Sequence, residues 1–519
     1  MSGAADLDVA VVGGGFAGSL LARQLRRQLP GLRVGLFERS RRTSYKVGES
    51  TVEIAGHYLV RRQRLAGYLY EHHLPKNGIR YFFDGAGRDF ELTEMSEIGT
   101  VNLPFHPTFQ IDRARMESDL LAMNLAEGVD VRLGADVVDI ELGSGGALHH
   151  LALEGGGGRE RVSARWLVDA TGRPGLLARA LGLREPEPEH HTGAVWGRFE
   201  GVADVDQLGD DAFRARVRHS ARGISTIHFL YPGYWVWFIR LRGGLTSVGL
   251  SGAPAKQRAI RTRDGFRDFL MQHRAMRALL ADAKAVDHGS YGRVAYATRR
   301  FFHADRWALV GEAATAADPL YSPGSDFIAL ENDYVADLVA RDAGGEPARA
   351  LAERVELYDR FMRFRHEATI RLYRGLYGTI GSFELMRLKW DFDIGSYHNL
   401  WVSPYMSDLY TDEAFLRRQL RQQRVVLGAM ENFARLFRRV EAKLTDEGAY
   451  HRRNRGAFSH GLEHIDFLPS VGLPRTRRQT LEQAADTFNQ VRRQAFALLG
   501  RPAEDAGWSL RAFVTRPLA

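Results

Sequence analysis

Three glycines, Gly13, Gly15 and Gly18, follow a short apolar run and open a stretch with helical apolar spacing. Small residues at such a junction let the backbone amides of a helix N-terminus approach a pyrophosphate. Glu38 closes the next apolar run about 20 residues on, where an acidic side chain binds the hydroxyl pair of a ribose. Two later stretches have a related cast. Leu167 to Gly172 is an apolar run ending in Asp169 and Gly172, and Leu309 to Ala314, carrying Gly311 and Glu312, reaches Pro319 through a short turn. Trp235 and Trp237 alternate along an apolar run, so both indoles point to one face of a strand; core packing is the plain alternative. Ser322 to Ser325, with Pro323 and Gly324 between them, form a tight turn before a helix. There, backbone amides hold an anion or the serine and Asp326 simply cap the helix. Lys76 stands between Pro75 and Asn77-Gly78, which on residue types alone reads as a solvated lysine in a turn. With no cysteine in the chain, thiolate metal sites and thiol nucleophiles are excluded, and redox chemistry has to come from a cofactor. No metal site is assigned.

These residues need elements to hold them. Leu7 to Val12, the glycine turn, the apolar-periodic run from Ser19 and a second strand at Arg33 to Glu38 have the order of a βαβ unit with a parallel sheet. Asp130 to Val168 reads as a β-rich excursion, with hairpin turns at Gly143 to Gly146 and Gly155 to Gly158. A second β-rich block over about Gly193 to Gly252 predicts a separate sheet. After Trp307 the pattern returns to a strand, Ala308 to Gly311, and a helix from about Asp326 to Arg341. From about Pro347, apolar residues such as Leu416, Leu420, Leu427, Met430, Ala434 and Phe437 recur at helical spacing. The expected division is 1–190, 191–300, 301–346 and 347–519.

The first glycine motif with Leu167 to Gly172 and Leu309 to Pro319 resembles the three FAD-contacting stretches of glutathione-reductase-like flavoproteins. Adding Tyr45 to Thr51, Leu74 to Phe83, Gly233 to Ile239 and Ser322 to Phe327, the chain resembles flavin-dependent halogenases of the tryptophan-halogenase-like superfamily over about residues 7 to 340. It is more similar to members acting on phenolic, pyrrole or carrier-bound substrates. The resemblance implies an α/β protein: a doubly wound FAD-binding domain (1–190, resumed at 301–346), an attached β-sheet substrate domain (191–300) and a helical C-terminal region (347–519). It implies FAD contacts from Gly13, Gly15, Gly18, Glu38, Gly48, Glu49, Arg113, Asp169, Gly172, Gly311, Glu312 and Pro319, with Lys46 in a flavin-side loop. Trp235 and Trp237 become a barrier beside the flavin, and Pro323, Gly324 and Ser325 border chloride or bromide. Lys76 becomes the catalytic amine, receiving hypohalous acid made from a flavin hydroperoxide and presenting electrophilic halogen to an electron-rich ring. Two positions depart from the family: Arg240 stands where proline is usual, and Glu312 where aspartate is.

The implied partners are a separate flavin reductase, since no second nucleotide fingerprint is present, and an aromatic substrate, free or carrier-bound. The rivals are an aromatic monooxygenase on the same fold and a catalytically silent flavoprotein partner. Lysine plus arginine (71) exceeds aspartate plus glutamate (63), but the charge is spread along the chain, so nucleic-acid binding is not expected. Asp6 and Asp8 replace the basic start of a signal peptide, and no apolar stretch reaches a bilayer span of about 20 residues, so the expectation is a cytoplasmic protein without a membrane segment. In the C-terminal third, Trp390, Phe392, Tyr397 and Trp401 read as core before pocket. The arginines at Arg417 to Arg424 and Arg452 to Arg455 read as solvated before carrier-docking.

Overall fold

The computed structural model describes residues 5–102, 105–155, 158–217, 219–461 and 468–501, together with Ala512 and Val514. The strand Leu7–Val12 lies between Val34–Glu38 and Gly158–Asp169, parallel to both, with Val9 opposite Val34 and Trp166. Trp307–Leu309 extends the parallel set on one side and Asp130–Leu133 on the other. Nearly every residue of Leu7–Val12 is buried, because helices cover both faces of a parallel sheet. The helix Phe16–Gln28 packs against Arg113–Ala126 and Gly324–Ala343.

Asp130–Leu133 was expected in the β excursion and belongs instead to the parallel sheet, hydrogen-bonded to Val34–Glu38. Only Asp136–Glu141 and His149–Gly155 form the antiparallel insert against Gly158–Asp169. The second of these strands runs between the two expected hairpin turns. Residues 156 and 157 of the expected turn lie outside the described residues.

The second sheet has Gly193–Glu200, Leu245–Gly252, Tyr234–Arg240 and Thr226–Tyr231 at its centre, as the β-rich block predicts. It also recruits Ile79–Phe83 in parallel with Thr226–Tyr231, then Ser96–Ile98 and the distant Phe458–Ser459. The chain therefore does not divide cleanly at residue 190: the segment carrying Lys76 runs directly into the second sheet. Period-two alternation splits its side chains. Tyr234, Val236 and Phe238 enter one core with Phe82 and Phe229, while Trp235, Trp237 and Ile239 face a second cluster with Tyr81, Ile380 and Phe383.

Past Pro347 the chain is helical as expected, in Ala348–Ile370, Phe383–Tyr397, Glu413–Asp446 and Arg477–Leu498. Arg417 pairs with Glu413, Arg452 and Arg453 lie near Glu384, and Arg455 pairs with Glu94, so much of the arginine charge is locally neutralised. Among the described residues, no helix is long and apolar enough to cross a membrane.

Candidate active site

A cleft of about 1070 Å³ opens over the glycine turn, at the upper end of the usual range for ligand sites. Gly13 holds φ at +111°, and a Cβ there would lie 2.4 Å from the carbonyl oxygen of Ala170, so only glycine fits. The helix Phe16–Gln28 starts without a side-chain cap and with no acid in its first turn, leaving backbone amides free for an anion. Gly172 and Gly324 have nothing within 4 Å of where a Cβ would stand. This smooth-walled cradle, with Glu38 at one end, fits the pyrophosphate and ribose of a dinucleotide such as FAD.

Gly13, Gly15, Glu38, Gly48, Glu49, Arg113, Gly172, Gly311, Glu312 and Pro319 all line the cleft, as do Lys46 and the turn Pro323 to Ser325. Several have local partners. Glu38 accepts the Gly14 and Ser40 amides at 2.8 Å, and Lys46 pairs with Glu117 at 2.6 Å. Arg113 stacks over Phe16 and donates to the Val47 carbonyl at 3.0 Å. Burial pushes the Glu49 carboxyl up, and the buried Arg198, 2.8 Å away, opposes that. Glu312 reaches Arg173 at 3.3 Å.

Two expected contacts are corrected. Asp169 is buried, and its oxygens accept the Thr171 amide, the Thr171 hydroxyl and the Leu177 amide. It shapes the turn beneath the cleft and does not line it. Gly18 is also absent from the lining: a Cβ there would stand 2.0 Å from the Gly13 carbonyl oxygen, so its role is close packing of helix on turn.

Trp235, Trp237 and Ile239 form one wall of the cleft. Their indoles lie 5.3 Å apart; Trp235 Nε1 donates to the Tyr377 hydroxyl and Trp237 Nε1 to Ser247. Gly249 leaves room for the second indole, since a Cβ there would stand 2.0 Å from Trp237 Cζ2. Arg240 points away and pairs with Asp204.

Lys76 is not in solvent. It is 1% exposed and lines a second cavity, of about 150 Å³, behind the cleft wall. Leu74–Lys76 pairs antiparallel with Thr108–Gln110, and this ladder holds the amine inward. Its Nζ donates to Ser50 Oγ and the Thr51 carbonyl, both at 2.8 Å, and Ser50 Oγ lies 2.9 Å from Thr226 Oγ1. Burial lowers the amine to about 8, with the charges of Glu53 and Asp326 resisting.

The two voids meet along short segments that alternate between them. Ser50 lines the cleft while Val52 and Glu53 line the cavity; Ser325 lines the cleft, Asp326 the cavity, and Pro323 both. The sequence reading assigned no role to Ser50 or Glu53, and to Asp326 only that of a helix cap. Burial lifts Asp326 to about 7 despite a hydrogen bond from the Tyr397 hydroxyl at 2.7 Å. Burial alone would raise Glu53, but its interaction with His398 outweighs that and holds it at about 2. Two carboxyls with separated affinities for a proton, Asp326 fully buried and Glu53 about a quarter exposed, thus act on one amine. Their only sequence signals were proximity to the glycine-serine stretches at Gly48 to Thr51 and Ser322 to Phe327. Trp390 and Tyr397 line the same cavity, against the expectation that they fill the core; Trp401 borders the cavity while belonging to the buried core as expected, and Phe392 packs on Phe433 as core.

Comparison with known proteins agrees with this geometry. Over 435 residues the chain is 27% identical to the flavin-dependent halogenase chlA of Dictyostelium discoideum, covering 77% of this chain and 70% of that one. It is 28% identical over 360 residues to a 1H-pyrrole-2-carbonyl-peptidyl-carrier-protein chlorinase of Pseudomonas fluorescens, covering 64% and 75%. The crystal structure of halogenase PltM in complex with phloroglucinol and FAD shares the fold, with a TM-score of 0.67 at 18% identity over 94% of this chain and 96% of that one. The family model described as FAD binding domain matches residues 6–324, a span that includes the glycine cradle and most of the cleft lining. Because that match takes in well over half its length, the chain belongs to the FAD binding domain family.

Proposed function

We propose that the protein is an FAD-dependent halogenase in which Lys76 delivers oxidised halogen to an electron-rich arene. One observation carries this reading: a buried amine lines a second cavity, 2.8 Å from a hydroxyl that lines the FAD cleft on the other side of the wall. When bound and reduced, FAD supplies the oxygen activation that converts chloride or bromide to hypohalous acid. The turn Pro323 to Ser325 would hold the halide, since it starts the long helix Gly324–Ala343 without a side-chain cap and Ser325 Oγ is buried with no partner among the described residues. Trp235, Trp237 and Ile239 keep an organic substrate off the cleft, so that halide and not the ring meets the oxidant. Lys76 then takes the halogen on its free amine, with water leaving, and gives it to the ring as the ring proton returns to nitrogen.

The relatives support the reading, and the P. fluorescens chlorinase keeps a carrier-bound substrate in view. A separate flavin reductase supplies electrons, and the cytoplasm is the proposed location. The test combines the protein with a reductase, chloride or bromide, and a panel of phenols and pyrroles. Halide-dependent mass shifts are expected. Halide-independent addition of one oxygen would establish a monooxygenase, and no product from any member would establish a silent flavoprotein.

Two further outcomes follow. If the free amine is the reactive form, single-turnover halogen transfer should rise with pH and level off above about 8, where burial places the Lys76 amine. A rate that falls through the same range would assign the chemistry to the ammonium. Separately, Gly249→Ala should displace the Trp237 indole and raise the fraction of flavin oxidation that yields no halogenated product, measured as oxygen consumed per product formed.

A further inference from the structure

The indole wall and the turn proposed to hold the halide are joined by a buried chain of hydrogen bonds. Trp235 Nε1 donates to the Tyr377 hydroxyl at 2.9 Å, and that hydroxyl donates to Asp318 Oδ2. His190 Nε2 lies 2.8 Å from the same oxygen, Asp318 Oδ1 accepts the Leu320 amide at 3.0 Å, and Ser251 Oγ stands 3.5 Å from the tyrosine hydroxyl. Trp235, Asp318 and His190 are all buried. The order of donors is fixed by chemistry: an indole N–H only donates, so the Tyr377 oxygen accepts from it and its own proton is left for Asp318. Trp235 and Asp318 both line the cleft, and Asp318 caps the short turn Pro319–Tyr321 that runs into Ser322 to Ser325. The Tyr377 backbone carbonyl also accepts the Gly233 amide at 2.8 Å, in the hairpin turn that leads into the Trp235 strand. Tyr377 and His190 themselves do not line the cleft.

Resting on the halogenation reading above, we propose that Tyr377 is a positioning residue whose hydroxyl, backed by Asp318 and His190, locks the Trp235 indole to the turn beside the halide. Partition and halide turn are thereby set as one unit. A buried indole N–H stripped of its acceptor leaves its position to find another, so loss of this one hydroxyl loosens the wall without removing a ring from it. A loosened wall wastes turnovers: two electrons and two protons pass from reduced FAD to oxygen, which leaves as hydrogen peroxide, and no halide is oxidised.

Two measurements test this. The first follows the Trp235 indole N–H by NMR of the oxidised, FAD-loaded protein with labelled tryptophan, the resonance being assigned by its loss in Trp235→Phe. In Tyr377→Phe it should exchange with deuterated solvent about tenfold faster or more. The second is a double-mutant cycle on hydrogen peroxide released per halogenated product. Tyr377→Phe should raise that ratio severalfold, yet add nothing in the Trp235→Phe background, where the donor is already gone; a merely structural tyrosine would add its damage to both. His190→Gln, which keeps an N–H for Asp318, should stay near wild type, and His190→Leu should follow Tyr377→Phe. An unchanged exchange rate in Tyr377→Phe, or losses that add in the pair, would overturn the proposal. Should Tyr377→Phe fail to fold, the two His190 variants decide in the same assays, and equal values for both would overturn it. The exchange measurement involves neither halide nor turnover, so absence of halide-dependent product from wild type would reject the halogenation reading while the lock is still tested.

Discussion

Lys76→Ala is expected to lose halogenated product by at least about 10²–10⁴-fold while FAD binding and flavin oxidation persist. The separation of effects follows from position: Lys76 lines the small cavity and is absent from the walls of the FAD cleft. Lys76→Arg should be nearly as inactive, because a guanidinium stays protonated and cannot take a halogen on a free amine. Product by mass spectrometry, set beside the rate of flavin oxidation, checks both variants. Unchanged halogenation in Lys76→Ala would remove the lysine from the mechanism. The same residue is expected to destabilise the fold. Burial lowers the amine from 10.5 to about 8, so between those values the unfolded chain binds more protons than the folded one. Stability therefore rises with pH across that window, and the penalty is fully present below about 8. Lys76→Met should thus be inactive yet more stable than wild type at pH 7, with a flatter dependence between pH 8 and 10 in thermal denaturation.

Glu97→Ala should produce the largest loss of stability, about 3–5 kcal/mol. Glu97 is completely buried between two completely buried arginines. Arg222 donates to both its oxygens at 2.9 Å, and Arg80 pairs with Oε1. Removing the carboxylate strands two guanidinium groups away from water. Arg222 retains Asp206 at 2.7 Å, whereas among the described residues Arg80 keeps only the Thr100 carbonyl, at 2.6 Å. Arg80 belongs to Ile79–Phe83, the strand that continues from the Lys76 turn, so the loss should reach the site as well. Denaturant unfolding measures the first effect, and halogenation at a temperature where the variant is folded measures the second. A change below about 1 kcal/mol would show that water reaches the pair and that the strand is held by packing alone.

The glycine cradle, the return strand at Trp307–Leu309 and the indole pair were legible because each is a local pattern. A strand, a tight turn and a helix start are written in residues a few positions apart, and period two places Trp235 and Trp237 on one face whatever lies opposite. Lys76 was legible only through the resemblance; residue types around it favoured a solvated turn, and its burial depends on Ser50 and Thr51, some 25 residues away. Asp169 and Gly18 show the converse. They sit within recognisable motifs yet act one layer beneath the ligand surface, since a motif records a local shape and does not say which of its atoms face the void.

The sequence by itself determined the cofactor class, the parallel sheet that carries it, the absence of thiol chemistry and the helical character of the last third. Only the tertiary structure decided that Phe383–Tyr397 closes the cavity of a lysine more than 300 residues earlier, and that Ile79–Phe83 and Phe458–Ser459 belong to the second sheet. The physical reason is that apolar and aromatic spacing specifies burial of a face but not what covers it. Trp390 and Tyr397 obey the same periodicity as Phe392, and the difference between filling a core and lining a cavity arises from the packing of distant segments.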